Sequence, residues 1–423
     1  MRKKATREKI FPKIRYKRAP IWTYFLLWCV GIYCKIRFGL RYNRDQIKAV
    51  KKIKGPIVIL STHPSPMDTV TTANAILSKR PSMLSSRMLY YYRVYRLMIK
   101  ALKNTIPKKQ YLTDIECIRH IKKMIDAKVS VLIFPEGRES IDGNFQGFTD
   151  ALGKLIKWLR VPVVSIHSPG CFLTRPRWLP GFRIGRIETE VKILLNADEV
   201  DTLTAEEINS RVRAAIDYND FDWQARNKVE FKSKEFKRAE SLFRILYKCP
   251  ACGAEYKNIS DGDELRCTEC GNRVVVGPYG EMTALDGGVS LPRIDKWYRY
   301  QQDMLLEEIK RKGQDYSIST EVKRAEYDWD KLKFVYKESG VLTLTLVGFE
   351  FVGDTRKIQF VRPNNPPAIH SDLYFEKIIL FLEDDPHEFT CTGYERPAKF
   401  NQVVQAMSSA FPTELRKKQP QST

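Results

Sequence analysis

Acidic residues are almost missing from the start of this 423-residue chain. Residues 1–54 hold seventeen Lys and Arg but only Glu8 and Asp45, a local excess of 15 against +22 for the whole protein. So concentrated a charge points to one polyanionic surface and not to a diffusely basic protein. Long hydrophobic runs are scarce too. The longest uncharged stretch near this end, residues 19–34, would span roughly 24 Å as a helix, short of the about 30 Å of a hydrocarbon core. No small-residue cleavage site follows it, and Lys35 and Arg37 come next, which argues against a secretory signal peptide. Cysteine is sparse: nine in this length exclude a secreted disulfide scaffold. No internal repeat is found, which excludes a solenoid or propeller.

What is present in the first segment is aromatic and apolar. Trp22, Tyr24, Trp28 and Tyr33 suit the headgroup level of a bilayer, and the flanking cations suit anionic lipid. The segment reads as a membrane-anchoring helix, interfacial or re-entrant, with an ordinary core helix as the alternative. A reduced, cytoplasmic face of the cell membrane is the expected location.

The stretch His63-Pro64-Ser65-Pro66-Met67-Asp68 follows an apolar run, Pro56 to Leu60, that reads as a buried strand, and precedes a helix expected over residues 69–79. The motif has two compatible readings. Ser65 can cap the helix, Pro66 suits its first position, and Asp68 falls three residues after the cap. Alternatively, His63 is a proton acceptor whose tautomer and charged form are set by Asp68. A five-residue spacing inside one helix would separate the pair, but the prolines keep His63 out of the helix.

Further along, residues 82–106 mix tyrosines with Arg93, Arg96 and Lys100 and read as a packed helix with snorkelling cations. Helices are expected over 113–127 and 144–160, with strands over 128–134 and 161–166. The alternation predicts an α/β domain with a largely parallel sheet. Residues 183–193 read as a short strand pair. After the 128–134 strand comes Phe134-Pro135-Glu136-Gly137-Arg138-Glu139. Gly137 permits a tight turn, and Arg138 offers a planar fork suited to phosphate; a plain loop with a surface ion pair is the bland alternative.

Together, His-x4-Asp after one strand, Phe-Pro-Glu-Gly some seventy residues later, and Val-Pro-Val-Val in the next strand resemble the glycerolipid acyltransferases. Over about residues 20–225 the chain resembles the 1-acyl-glycerol-3-phosphate (lysophosphatidate) acyltransferase family. The resemblance implies that His63 is the general base and Asp68 its partner, with Ser65, Glu136, Gly137 and Arg138 on the substrate side. It implies an acyl-CoA or acyl-carrier-protein donor, a lysophospholipid acceptor, phospholipid biosynthesis, and no metal or redox cofactor in catalysis. A catalytically inactive lipid- or partner-binding protein on the same fold is the alternative. The pattern departs from the family in three places. Arg138 stands where a threonine is usual before the arginine, Thr62 replaces a common asparagine, and Lys108 and Lys109 lie where an Ile-Asp-Arg-like block is frequent.

The second half has other chemistry. Residues 205–247 read as a charged helical bridge. Cys249-x2-Cys252 and Cys267-x2-Cys270, fourteen residues apart and each followed closely by glycine, form a zinc-ribbon pattern with a structural zinc. Nucleic-acid binding and redox switching are the alternatives; no basic helix accompanies the ribbon, so nucleic acid is not expected as a partner. Cys29, Cys34, Cys117, Cys171 and Cys391 read as buried small apolar residues. Beyond residue 291, alternating runs, one of them at 373–375, predict a small β-rich domain closed by a helix over 397–410 and expected to resemble a pleckstrin-homology-like barrel, with a lipid-binding or regulatory role and a packing accessory as the alternatives. The expected order is therefore a basic anchoring segment (1–45), an acyltransferase domain (46–235), a linker helix and zinc ribbon (236–285), and a β-rich domain (286–423).

Overall fold

A computed structural model describes residues 10–11, 13–102, 105–109, 114–361, 369–372, 376–382, 385–393 and 396–410. The chain divides into two compact units: residues 1–176 with 181–233, and residues 177–180 with 234–423. The strand expected at 373–375 and the first residue of the helix expected at 113–127 lie outside the described residues.

The first unit is built on a seven-stranded sheet. In chain order its elements are α1 (Ile21–Phe38), β1 (Leu40–Tyr42), α2 (Arg44–Lys52), β2 (Val58–Ser61), α3 (Met67–Ala75), β3 (Ser82–Ser86), α4 (Arg93–Leu102), β4 (Thr105–Lys108), α5 (Ile115–Asp126), β5 (Val131–Ile133), α6 (Ala151–Leu159), β6 (Val163–His167), α7 (Cys171–Thr174), β7 (Ile187–Leu195), α8 (Ala197–Thr202), α9 (Ala205–Ile216) and α10 (Asp220–Asn227). The strand order is β1-β7-β6-β2-β5-β3-β4. β2 lies between β5 and β6 and is parallel to both; only the β6–β7 pair is antiparallel. The central strands β2 and β5 are almost wholly apolar because both faces are covered. Val58, Ile59 and Leu60 are buried, and so are Val131, Leu132 and Ile133. One face packs Ile121, Met124 and Ile125 of α5, Ile156 of α6, and Ile208, Val212 and Ile216 of α9. α9 therefore belongs to this core, where the sequence pattern suggested a bridge leaving it.

α1 carries apolar residues on both of its faces. Tyr24, Gly31, Cys34 and Phe38 are buried, and the helix packs on α3. Gly31 permits this: a Cβ there would lie 2.1 Å from Oδ1 of Asn74, whose amide donates to the Leu27 carbonyl at 2.8 Å. The opposite side leaves Ile21, Phe25, Leu26, Trp28 and Ile36 exposed. Cys29 is also exposed, contrary to the expectation of a buried thiol, whereas Cys34, Cys117, Cys171 and Cys391 are buried.

Two expected helices are different. Residues 82–106 form β3, a 3-10 turn (Arg87–Tyr91), α4 and the start of β4. β3 has no β-branched residue, so nothing local marks it as a strand; its pairing with β5 and β4 makes it one. The helix expected over 144–160 begins only at Ala151. Gly147 has φ +76, and the Gln146 amide is committed to Glu136, so the preceding residues cannot be helical.

The second unit contains the cysteine region and the β-rich region together. β8 (Asn258–Asp261), β9 (Glu264–Cys267), β10 (Arg273–Val276) and β11 (Met282–Ala284) form an antiparallel sheet. α11 (Ile294–Lys312) follows. Next come β12 (Ser317–Asp328), β13 (Lys333–Thr345), β14 (Gly348–Gly353), β15 (Lys357–Val361), β16 (His370–Asp372), β17 (Lys377–Leu382) and β18 (Asp385–Cys391). They form one antiparallel sheet in the order β15-β14-β13-β12-β18-β17-β16. α12 (Arg396–Ala410) closes its core with Phe400, Val403 and Met407. Polar contacts tie the two regions: the Tyr247 hydroxyl donates to Gln402 at 2.6 Å, and the Trp297 indole donates to the Lys248 carbonyl at 2.9 Å.

Candidate active site

Three parallel strands, β5, β2 and β6, run side by side, so the loops leaving their C-terminal ends meet at one edge of the sheet. That edge is where open α/β sheets hold ligands. The loops after β5 and β2 carry Phe134 to Ser140 and His63 to Asp68, and β6 ends on His167. Hydrogen bonds lock the first two together. The His63 backbone N–H donates to Glu136 Oε1 at 2.7 Å, and the Ser140 N–H donates to the His63 carbonyl at 3.0 Å. His63 thus has both main-chain polar groups fixed by the neighbouring loop.

The side chain is fixed as well. His63 Nδ1 lies 2.8 Å from Asp68 Oδ2, and Phe134 stacks on the ring at 4.5 Å. Asp68 is fully buried, whereas the His63 side chain keeps 20% exposure. The five-residue spacing works because α3 begins only at Met67: Asp68, in its first turn, reaches back to His63 and also accepts from the Ser65 N–H at 3.2 Å. With Nδ1 engaged, Nε2 is the nitrogen left for chemistry.

The electrostatics favour the imidazolium. Burial alone would lower the His63 pKa, but Asp68, by charge and hydrogen bond, with Glu139 and Glu136, raises it to about 9. Burial pushes Asp68 upward, against the pull of His63. The pair therefore keeps one shared proton until the solution is alkaline. Burial also drives Glu136 up to about 7, although amides of Gln146 and His63 hold it down.

Ser65, Glu136, Gly137 and Arg138, grouped by sequence on the substrate side, divide in the structure. Ser65 is buried, and its hydroxyl accepts from the Met67 N–H at 3.2 Å. Glu136 accepts from His63 with one oxygen and from the Gln146 N–H with the other, at 2.8 Å. Both side chains are engaged by backbone amides inside the protein. Gly137 turns the loop at φ +67, a conformation that disfavours a side chain. Arg138 is half-buried and has no hydrogen-bond or ion-pair partner among the described residues.

Two residues at this edge were not singled out from sequence. His167 Nδ1 lies 3.1 Å from the Thr62 hydroxyl, and Tyr218 packs on its ring and donates to Glu136 Oε2 at 3.4 Å. Burial lowers His167 to about 4, so it is neutral at neutral pH. A histidine closing the strand beside the one that carries His63 was the available signal. Tyr218 had none.

The four cysteines converge in the second unit. Cys249, Cys252, Cys267 and Cys270 place their sulfurs within 4.8 Å of one another, with 3.8 Å between Cys249 and Cys270 and 3.9 Å between Cys252 and Cys267. A tetrahedron with metal–sulfur bonds of about 2.3 Å has edges of about 3.8 Å, so the thiolates fit a bound metal, and they are too far apart for disulfides. Four protein ligands leave no open position, which makes the site structural.

Residues 41–168 match the sequence profile of the Acyltransferase family. This segment is an acyltransferase domain. The profile begins before β1 ends and closes just beyond β6, so it takes in both loops of the His63–Asp68 site. Residues 243–277 match the zinc-ribbon family described as DNA directed RNA polymerase, 7 kDa subunit, and the match includes all four cysteines. Among solved structures, the chain is similar to the 1-acyl-sn-glycerophosphate (LPA) acyltransferase PlsC from Thermotoga maritima. The identity is 16% and the TM-score 0.34, over 51% of this chain and 95% of that one. No curated protein matches the chain.

Proposed function

We propose that the acyltransferase domain moves a fatty acyl group from a thioester to the hydroxyl of a lysophospholipid, 1-acyl-glycerol-3-phosphate in the first instance, giving phosphatidate. The observation that carries the proposal is the His63–Asp68 contact of 2.8 Å, with Nε2 left unengaged, among the described residues, on a partly exposed ring. A hydroxyl is a poor nucleophile without a base, and a thioester supplies its own leaving group. In this reading Nε2 takes the proton as the acceptor oxygen bonds to the thioester carbonyl carbon. The tetrahedral intermediate then expels the thiolate, which recovers that proton from His63 and leaves as free thiol. Asp68 holds the imidazolium. Arg138 binds the acceptor phosphate; this half-buried residue has no carboxylate partner among the described residues, and a planar fork suits phosphate. Ser65 and Glu136 hold the loop that carries His63.

The donor is acyl-CoA or acyl carrier protein, and the product belongs to phospholipid biosynthesis. We place the protein on the cytoplasmic face of the cell membrane, docked on anionic lipid through the exposed apolar side of α1 and the basic residues around it. The ribbon metal is zinc, and the β-rich sheet with α12 is a pleckstrin-homology-like barrel.

The test is acyl transfer from a labelled acyl thioester to lysophosphatidate, with His63→Ala beside the unchanged protein. Loss of activity by several orders of magnitude in the folded variant is expected. Equal rates would reduce His63 to the lead-in of a helix. No transfer by the unchanged protein, across several donors and acceptors, would favour the lipid-binding reading.

A further inference from the structure

α4 is inverted. An ordinary surface helix buries its apolar stripe and exposes its polar one. In α4 the large apolar side chains Val94, Tyr95, Leu97 and Met98 are exposed, at 68%, 48%, 59% and 60%, while Arg96 is buried at 7%, as deeply as Ile99. The Arg96 guanidinium donates to the Tyr90 carbonyl at 3.1 Å. Positions 94, 97 and 98 stand three and four apart, so they share one side of the helix, and Tyr95 adjoins Met98 three residues on. The face is therefore a continuous apolar strip and not a scatter of single residues.

The charge around it is one-sided. Residues 69–113 hold nine Lys and Arg and not one Asp or Glu. Arg93 is exposed at the start of α4, and no acid lies in its first turn. We propose that α4 is a second membrane-contact element: a short helix lying in the interfacial layer of an anionic bilayer, its apolar strip among the upper acyl chains and its cations at the headgroups. A bilayer is the partner that offers apolar and anionic contacts side by side; nucleic acid offers no apolar bed for Val94, Leu97 and Met98. A helix of ten residues is about 15 Å long, too short to span and long enough to lie in the plane. Residues 1–9 are an unsuitable cover for the strip, since five of the nine are Lys or Arg.

The inference rests on the lipid-directed function proposed above, and extends it from α1 to a second helix of the same unit. With α4 in the interface, a lipid acceptor and the sheet would meet without the acceptor leaving the membrane. The experiment compares the full chain with Leu97→Glu/Met98→Glu on vesicles of phosphatidylcholine with phosphatidylglycerol, and of phosphatidylcholine alone. The double variant should partition about tenfold or more weakly onto the anionic vesicles. Leu97→Ser/Met98→Ser, gentler on folding, should fall between the two. Arg93→Glu should weaken binding at low salt and converge with the unchanged protein at high salt. In parallel, thiol release is followed with short-chain, water-soluble donor and acceptor, where all variants should match the unchanged protein. Equal partition of the unchanged protein and both double variants would overturn the proposal. So would loss of a dimer in the variants with vesicle partition unchanged, which would assign the strip to a second copy of the chain. Absence of thiol release in every protein, with the partition difference intact, would remove the acyl-transfer reading and leave α4 as a membrane element.

Discussion

Replacing Asp68 by Asn tests the pairing at the centre of the site. The carboxylate is fully buried 2.8 Å from His63 Nδ1, and the imidazole rises from its ordinary 6.5 to about 9. That rise corresponds to about 3 kcal/mol in favour of the imidazolium. Because burial acts the other way, the acidic neighbours together supply more than this, with Asp68 first among them. In Asp68→Asn the burial remains and the largest opposing contribution is gone, so the His63 pKa falls. Two effects follow in acyl transfer. The imidazolium formed as the hydroxyl is deprotonated loses its partner, which lowers the maximal rate by on the order of 10²-fold to 10³-fold. The pH limb also moves. In the unchanged protein the base must be neutral to act, so kcat/KM should rise with pH through about 9; in the variant the limb should lie at lower pH. Thiol release is measured across the neutral to alkaline range with detergent-dispersed lysophosphatidate, and circular dichroism checks the fold. A variant with a rate near that of the unchanged protein at every pH, and an unmoved limb, would refute the assignment of His63 and Asp68 as a working pair.

Arg138→Ala should raise KM for the phosphate-bearing acceptor about tenfold or more with kcat less affected, since charged hydrogen bonds contribute roughly 1.5–3 kcal/mol; Arg138→Lys should recover part of the loss, and an unchanged KM would dismiss the residue as the phosphate ligand. Asp220 accepts from the Gly170 and Phe172 N–H groups at 3.1 Å, but burial outweighs those bonds and lifts it from 3.8 to about 7. A raised folded pKa contributes stability that is whole below 3.8 and lost as pH rises through 7, up to about 4 kcal/mol. Denaturant unfolding should therefore show Asp220→Asn with a flatter pH dependence across that window, and an identical slope would contradict the burial argument. Elemental analysis should find about one metal per chain, removable by chelation with a fall in the melting temperature of the second unit; metal-free protein of unchanged melting temperature would sink the ribbon site, and Cys267→Ser should reproduce the chelated behaviour.

The parts of this fold that were legible in sequence are those where local pattern and tertiary role agree. β2 and β5 are continuous apolar runs because both of their faces are covered, and the two Cys-x2-Cys pairs have the spacing of the knuckles they form. Other parts are decided by residues distant in sequence. β3 is a strand because β5 and β4 pair with it, and residues 144–150 stay out of α6 because Glu136 claims an amide there. The same limit governs the site. His-x4-Asp could be read as an acid–base pair or as a capped helix, and the structure shows one geometry serving both: the Asp68 carboxylate that contacts His63 also accepts from the Ser65 N–H before α3. Glu136 was legible as a charged residue in a strand-end turn, but its direction was not. A carboxylate beside an arginine suggests a surface pair, and only the parallel register of β2 against β5 brings it under the His63 amide instead. Motif chemistry identifies which residue types meet; the sheet decides which of their atoms face the reaction and which face the protein.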